Sequence, residues 1–209
     1  MNDTKEKILM TALRLFARDG YEAVPVSAIA GELGITKGAL YKHFRNKRDI
    51  FDSIVEKMYR TDAQRAQAYE VPEEKYENCP KTYENISVKN IRDFTLAQFI
   101  FWSEDAFASD FRKMLALEQY RNAEMAELYS NCLTSGPVAY MEGIFREMIA
   151  KGILAEADPE QLAVEFYAPL PLLVSISDFS KDKEKLLKLL NEHIERFIQQ
   201  NSAADCGNQ

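Results

Sequence analysis

Within thirteen residues, Thr36 to Arg48, the chain places five cations (Lys37, Lys42, Arg45, Lys47 and Arg48) and no acid. The whole chain carries a net charge of −7, so this run departs from its surroundings. Such a run suits a polyanion, because neutralised phosphates release their condensed counterions. A charge run alone is equally well read as a solvated basic turn. Glycine inside a helix costs about 1 kcal/mol relative to alanine, and close approach of the backbone to a partner is one reason to keep Gly38 there. Catalytic constellations are missing by comparison. The two histidines, His43 and His193, stand far apart, and the chain has no HExxH, P-loop, G-x-S-x-G or paired-cysteine metal spacing. No enzyme, cofactor or metal site is expected.

The elements that must hold the cations are two short helices. Ala30 and Leu33 repeat at helical spacing, Gly34 interrupts, and Thr36 restarts a helix that puts Leu40 and Phe44 on one side and runs to about Phe44. That is a helix-turn-helix pattern. Thr36 is the expected N-cap of the second helix. Its outward side then offers Lys37, Gly38, Ala39, Tyr41, Lys42 and His43. Asn46, with Asp49 three residues later, is the expected cap of the next helix, whose first turn carries Lys47 and Arg48. The macrodipole disfavours cations there, which makes sense if an outside anion binds.

Residues 20–51, GYEAVPVSAIAGELGITKGALYKHFRNKRDIF, resemble the N-terminal domain of the tetracycline-repressor-like (TetR) family of bacterial transcription regulators. The similarity rests on Gly20, Tyr21, Ile29, Ala30, Gly34, Thr36, Gly38, Tyr41, His43, Phe44 and Lys47 at the family's spacings. It is sharp over about residues 5–60 and architectural beyond. It implies a helix-turn-helix DNA-binding domain at 1–47 and a helical regulatory, ligand-binding and dimerisation domain at 48–209. It also implies phosphate contacts from Tyr41, His43 and Lys47. The family often places a hydroxyl residue at the entry to helix two. Here Pro25 stands in that region as a first-turn residue, leaving Ser27, further into the turn, to supply the hydroxyl. The expected DNA-binding set is Ser27, Thr36, Lys37, Gly38, Ala39, Tyr41, Lys42, His43 and Lys47.

Length and composition fit one or two modest helical domains: 209 residues, 46% hydrophobic and 28% charged. No apolar run is long enough to span a bilayer, and the polar start MNDTKEKILM does not read as a signal peptide. Cys79, Cys132 and Cys206 are odd in number and widely spaced, which fits neither a disulfide framework nor a zinc site. A reducing cytoplasm is therefore expected. Charge is split unevenly. Residues 1–60 carry 11 Lys+Arg against 8 Asp+Glu, and the remainder carries 15 against 25. Only the first segment needs to meet phosphate, while the acidic remainder is held off it.

In chain order, helix one spans Asp3–Asp19, with Leu9, Ala12, Leu13 and Phe16 inward and Gly20 as its stop. A long helix runs from Asn46 to about Gln67. Residues 69–86, with Pro72 and Pro80, read as a loop or broken helix. Further helices are expected near 87–103, 105–121, 123–133, 137–151, 158–177 and 181–200, with Pro169 and Pro171 kinking the fifth of these. No stretch alternates with period two over any length, so the fold is expected to be all-α.

Twelve of the chain's aromatics lie between Phe94 and Tyr167, interleaved with methionines. An ordinary helical core explains each one singly, yet together they can line an apolar cavity. The resemblance implies such a cavity for a small-molecule effector. The lining expected is Phe94, Gln98, Trp102, Tyr120, Tyr140 and Phe166. Leu187, Leu190, Ile194 and Phe197 form a heptad-like seam on the last helix, and residues 162–177 form another broad apolar helix. These helices can complete the monomer core, whereas in the family the equivalent pair joins two subunits. Phe166, Leu173, Leu187, Leu190, Ile194 and Phe197 are the expected dimer contacts. A homodimer also reads two half-sites of a palindromic operator at once. The resulting expectation is a ligand-responsive DNA-binding repressor that is released by its effector. The competing reading is a helical scaffold that binds another protein through residues 158–200.

Overall fold

The computed structural model describes residues 3–73, 76, 78–84 and 86–203. Its helices are α1 (Asp3–Asp19), α2 (Val26–Glu32), α3 (Lys37–Tyr41), α4 (Lys47–Ala68), α5 (Val88–Glu104), α6 (Ala106–Glu118), α7 (Ala123–Leu133), α8 (Ser135–Ala150), α9 (Pro159–Tyr167), α10 (Pro169–Ser177) and α11 (Lys183–Asn201). A 3-10 turn at Pro80–Tyr83 punctuates the segment between α4 and α5. Among the described residues there is no strand, only one antiparallel bridge between Leu154 and Ser202. The fold is all-α, with a helix-turn-helix at its N-terminal end.

The chain divides into two compact units. The first runs to Ala63 and takes in Glu104–Tyr129, and the second comprises Gln64–Ser103 and the chain from Ser130 onward. The division at residue 47 expected from the sequence falls at the first residue of α4, inside the first unit.

In the first unit α1 buries Leu9, Ala12, Leu13 and Phe16 along one face, and its inward stripe packs on α2 and α6. The α1–α6 packing has no signature in the sequence, because the two helices lie about ninety residues apart. Gly20 ends α1 at φ 89°, a conformation that suits glycine. Its N–H donates to the Phe16 carbonyl at 2.9 Å. Lys57 of α4 pairs with Glu6 of α1, and its ammonium lies 4.6 Å from the centroid of Phe107 on α6. An aromatic trio, Phe16, Tyr21 and Phe51, closes the corner where α1, the following turn and α4 meet.

The second unit is built around α8 and α9. Phe145, Phe166 and Phe197 pack ring to ring at centroid distances of 5.1–5.4 Å. The segment after α4 lies on α8: Tyr76 stacks against the glycine face at Gly143 and its hydroxyl donates to Glu147 at 2.7 Å. The single kinked helix expected over 158–177 is two helices, α9 and α10. Pro169 and Pro171 lack the amides that would have carried the ladder through Ala168. Asp158 caps α9 by accepting from the Glu160 N–H at 3.0 Å.

Candidate nucleic-acid interface

α2 begins at Val26, with Pro25 as its N-cap in an extended conformation and no side-chain cap bond. This corrects the expectation that Pro25 is a first-turn residue. Ser27 is exposed in the first turn. The turn to α3 is set by Gly34 at φ 64° and by two backbone bonds, Gly34 N–H to Gly31 carbonyl and Ile35 N–H to Ala30 carbonyl, both 3.0 Å.

Thr36 caps α3 as its type and spacing suggest: its Oγ1 accepts from the Ala39 N–H at 3.1 Å. α3 is shorter than expected and ends at Tyr41 rather than near Phe44. The next amides, Lys42 and His43, donate to carbonyls three residues back, so the chain tightens into a turn. Leu40 and Phe44 are still buried. On the opposite side Thr36, Lys37, Gly38, Tyr41 and Lys42 are exposed, and Ala39 and His43 are half-exposed. At Gly38 an added Cβ would meet nothing closer than Thr36 Oγ1 at 3.8 Å. The fold itself therefore has room for a side chain there.

The start of α4 is capped reciprocally. Asn46 Oδ1 accepts from the Asp49 N–H at 2.8 Å, and the Asp49 carboxylate accepts from the Arg45 N–H at 2.8 Å. That backbone hydrogen bond holds the Asp49 carboxyl below its ordinary range. The cations nearby divide into two kinds. Lys37 and Lys42 extend outward, and so does Arg45, 87% exposed with its Nε 3.6 Å from Asp49 Oδ2. Lys47 and Arg48 are engaged within the chain. Lys47 Nζ donates to the Tyr21 carbonyl at 2.9 Å and the Glu22 carbonyl at 3.2 Å. Arg48 donates with both arms of its guanidinium to Glu124, at 2.6 Å each, and with Nε to Asp52 at 2.6 Å. The sequence gives no signal for these two engagements, because Tyr21 and Glu124 meet α4 only through tertiary packing.

The residues expected to line an effector cavity do not all come together. Tyr120 belongs to the first unit and is 89% exposed. The other five lie in the second unit. Phe94 and Tyr140 are ring neighbours at 6.5 Å, and the Tyr140 hydroxyl donates to the Pro72 carbonyl at 3.0 Å. Gln98, one turn along from Phe94, has a buried Oε1 with no hydrogen-bond partner. Trp102 is buried beside Phe101. Phe166 is enclosed by Phe145 and Phe197 in a separate cluster.

The residues expected at a dimer seam sit in the fold of the single chain. Phe166, Leu173, Leu190, Ile194 and Phe197 are buried, and Leu187 is half-buried. The heptad-like spacing is the inward face of α11, which packs on α9 and α10. The large apolar side chains left outside on this part of the chain are Val164, Leu172, Ile176, Phe179 and Leu189. His193 plays a structural part, with Nε2 3.3 Å from the Phe166 carbonyl. Cys79 and Cys132 are not joined in a disulfide, and Cys206 lies outside the described residues. No described helix is long and apolar enough to cross a membrane.

Residues 8–54 match the family model described as bacterial regulatory proteins, tetR family. An uncharacterized HTH-type transcriptional regulator of Bacillus subtilis, YerO, is 46% identical over 56 residues, 27% of this chain and 19% of that protein. The HTH-type transcriptional regulator AcrR of Shigella flexneri is 43% identical over 54 residues, 26% of this chain and 25% of that protein. These matches thus span a quarter or less of the relatives' own length. Another uncharacterized HTH-type regulator of Bacillus subtilis, YhgD, aligns over 95% of this chain and 98% of its own at 25% identity. Among solved structures, the repressor SmeT of Stenotrophomonas maltophilia shares the fold with a TM-score of 0.65 at 21% identity, covering 98% of this chain and 93% of that one. SmeT has also been solved as a complex with triclosan.

Proposed function

We propose that the chain, whose residues 8–54 match the model of the tetR family of bacterial regulatory proteins, is a ligand-responsive DNA-binding transcriptional regulator. In this reading it is a cytoplasmic repressor that holds a palindromic operator as a homodimer and lets go when a small molecule binds. The observation that carries the proposal is the outward side of α3. Lys37, Gly38, Ala39 and Tyr41 stand on a capped helix and Lys42 follows at its C-cap, with no acid among them and a buried Leu40 behind. Lys37 has the reach and charge to meet guanine acceptors in the major groove, and Ala39 suits a thymine methyl. Tyr41 and His43, together with Ser27 and Thr36 at the two helix starts, provide donors for backbone phosphates, which fix register. Arg45 adds long-range attraction.

One α3 of five residues makes few contacts, so tight specific binding calls for two copies. Val164, Leu172, Ile176, Phe179 and Leu189 are exposed apolar side chains on α9–α11 and the turn after α10 that are available for pairing two chains. The effector reading draws on the triclosan complex of SmeT and on the aromatic cluster of Phe94 and Tyr140 here. An effector releases DNA only by binding the released arrangement more tightly. α4 offers a covalent route for that difference, since its residues belong to both units.

The deciding experiment is selection of duplexes from a random pool, followed by fluorescence anisotropy of the enriched site at several salt concentrations. Enrichment of an inverted repeat, with affinity that falls as salt rises, is expected. Equal affinity for enriched and random duplexes would overturn the proposal.

A further inference from the structure

The Arg48 fork is the least expected contact of the first unit. Its two arms close on Glu124 at 2.6 Å, and its Nε takes Asp52 at 2.6 Å. Glu124 stands in the first turn of α7, held there by Asn122, whose Oδ1 accepts from the Glu124 and Met125 amides at 3.0 and 3.2 Å. A paired, planar fork onto a carboxylate has the geometry that arginine uses on a phosphate. Arg48 follows directly on the cation run that otherwise faces outward, while Lys47 is tied to backbone carbonyls. Arg48 is thus a phosphate-competent cation whose fork is filled by one of the chain's own carboxylates.

We propose that Arg48–Glu124 is an intramolecular latch that withholds a phosphate-binding arginine from duplex DNA. The inference rests on the DNA-binding reading above and adds a regulatory contact to it. Two properties suit a latch rather than a permanent tie. The side chains are 54% and 44% exposed, so water and salt screen the pair and a phosphate can displace the carboxylate. Glu124 also rides on α7, which runs from the first unit into the second at residues 129–130. A shift of α7 that originates in the second unit would open or close the fork. Asp52 lies on α4 with Arg48, so a shift of α7 leaves that carboxylate beside Nε and the expected gain on release is modest.

The test is a double-mutant cycle on the full chain, with E124Q, R48Q and R48Q/E124Q measured by anisotropy on a random-sequence duplex and on the selected operator. E127Q, which removes the same charge one turn along α7 from an exposed residue, is the charge control. E124Q is expected to tighten binding to both duplexes by up to about fivefold at low salt and to steepen the salt slope by about one unit. That gain is expected to vanish in the R48Q background and to be smaller in E127Q. A gain that survives R48Q, or that E127Q matches, would mean general charge removal and would overturn the latch. Weaker binding by E124Q, with a lower melting temperature, would make the pair a structural clasp and overturn it as well. If the wild-type chain prefers no duplex and binds none in a salt-dependent way, the DNA reading itself fails and the latch falls with it.

Discussion

Lys47 Nζ lies 2.9 Å from the Tyr21 carbonyl oxygen and 4.4 Å from the Tyr21 ring centroid. The first turn of α4 is thereby fastened to the corner between α1 and α2. The ammonium is close to Glu22 as well, with Oε2 at 3.8 Å, and only 23% of the lysine side chain is exposed. A residue whose family position suggests a phosphate contact is here an internal tie. The two roles separate experimentally. Lys47→Ala is expected to lower stability by about 1–3 kcal/mol, because it leaves two carbonyls without their charged donor and removes the cation–π contact. A urea melt reads this as a lower midpoint at unchanged m-value. The salt slope of DNA binding is expected to stay the same. A slope reduced by one unit with no loss of stability would return Lys47 to the phosphate backbone.

Gly20 makes a second internal demand. Its φ is 89°, and a Cβ built there would sit 2.5 Å from Oε1 of Glu118 on α6. Glu118 is buried, yet its carboxylate is the end of a flexible side chain that can move aside. The backbone strain cannot be relieved that way. Gly20→Ala is therefore expected to cost about 1–3 kcal/mol from the left-handed conformation alone. The Gly20→Ala/Glu118→Ala double variant should recover little of that loss. Full recovery in thermal melts of the double variant would show that crowding, not φ, fixes the glycine.

Gly38 gives the opposite case, since its backbone is ordinary helix and its surroundings are open to a methyl group. Gly38→Ala is expected to stabilise the chain by roughly 0.5–1 kcal/mol through helix propensity. It should also weaken operator binding, because the added Cβ stands where the backbone of α3 would meet a base pair. Measuring stability and affinity on the same preparation decides the point. Unchanged affinity would mean that no partner approaches α3 at Gly38.

The distance over which residues cooperate explains what the sequence made legible. Thr36 with Ala39, Asn46 with Asp49, and the inward stripe Leu9–Ala12–Leu13–Phe16 are all local, and all stand where spacing puts them. The end of α3 was less legible, since nothing apolar or polar at Lys42 and His43 marks a stop, and the tight turn into Asn46 decides it. Contacts with α6 and α7 were not legible at all. Glu118 beside Gly20 and Glu124 on Arg48 join positions far apart in the chain, and an acid on a helix face looks the same in sequence whether it is solvated or paired. The stripe on α11 is buried within the single chain, and its spacing leaves the covering neighbour open for a related reason. A heptad-like stripe records that a helix buries one side, not whether the burying neighbour is in the same chain.

That distinction yields the sharpest test of assembly. Leu190 is fully buried within the second unit, so Leu190→Glu is expected to unfold it rather than to separate subunits. Leu172 on α10 is 60% exposed and Phe179 just beyond it is 94% exposed, so a charge at either position stays largely solvated in a single chain. Leu172→Glu and Phe179→Glu are therefore expected to keep the melting transition of the isolated subunit while halving the mass seen by light scattering. Both should lose operator affinity by far more than their effect on a random duplex, because a monomer reads one half-site. Stability that no longer depends on protein concentration would accompany the change. If both variants remain dimeric, the pairing surface lies elsewhere on the molecule. If the wild-type chain is itself monomeric and still selects an inverted repeat, the two half-sites must be read by chains that meet only on the DNA.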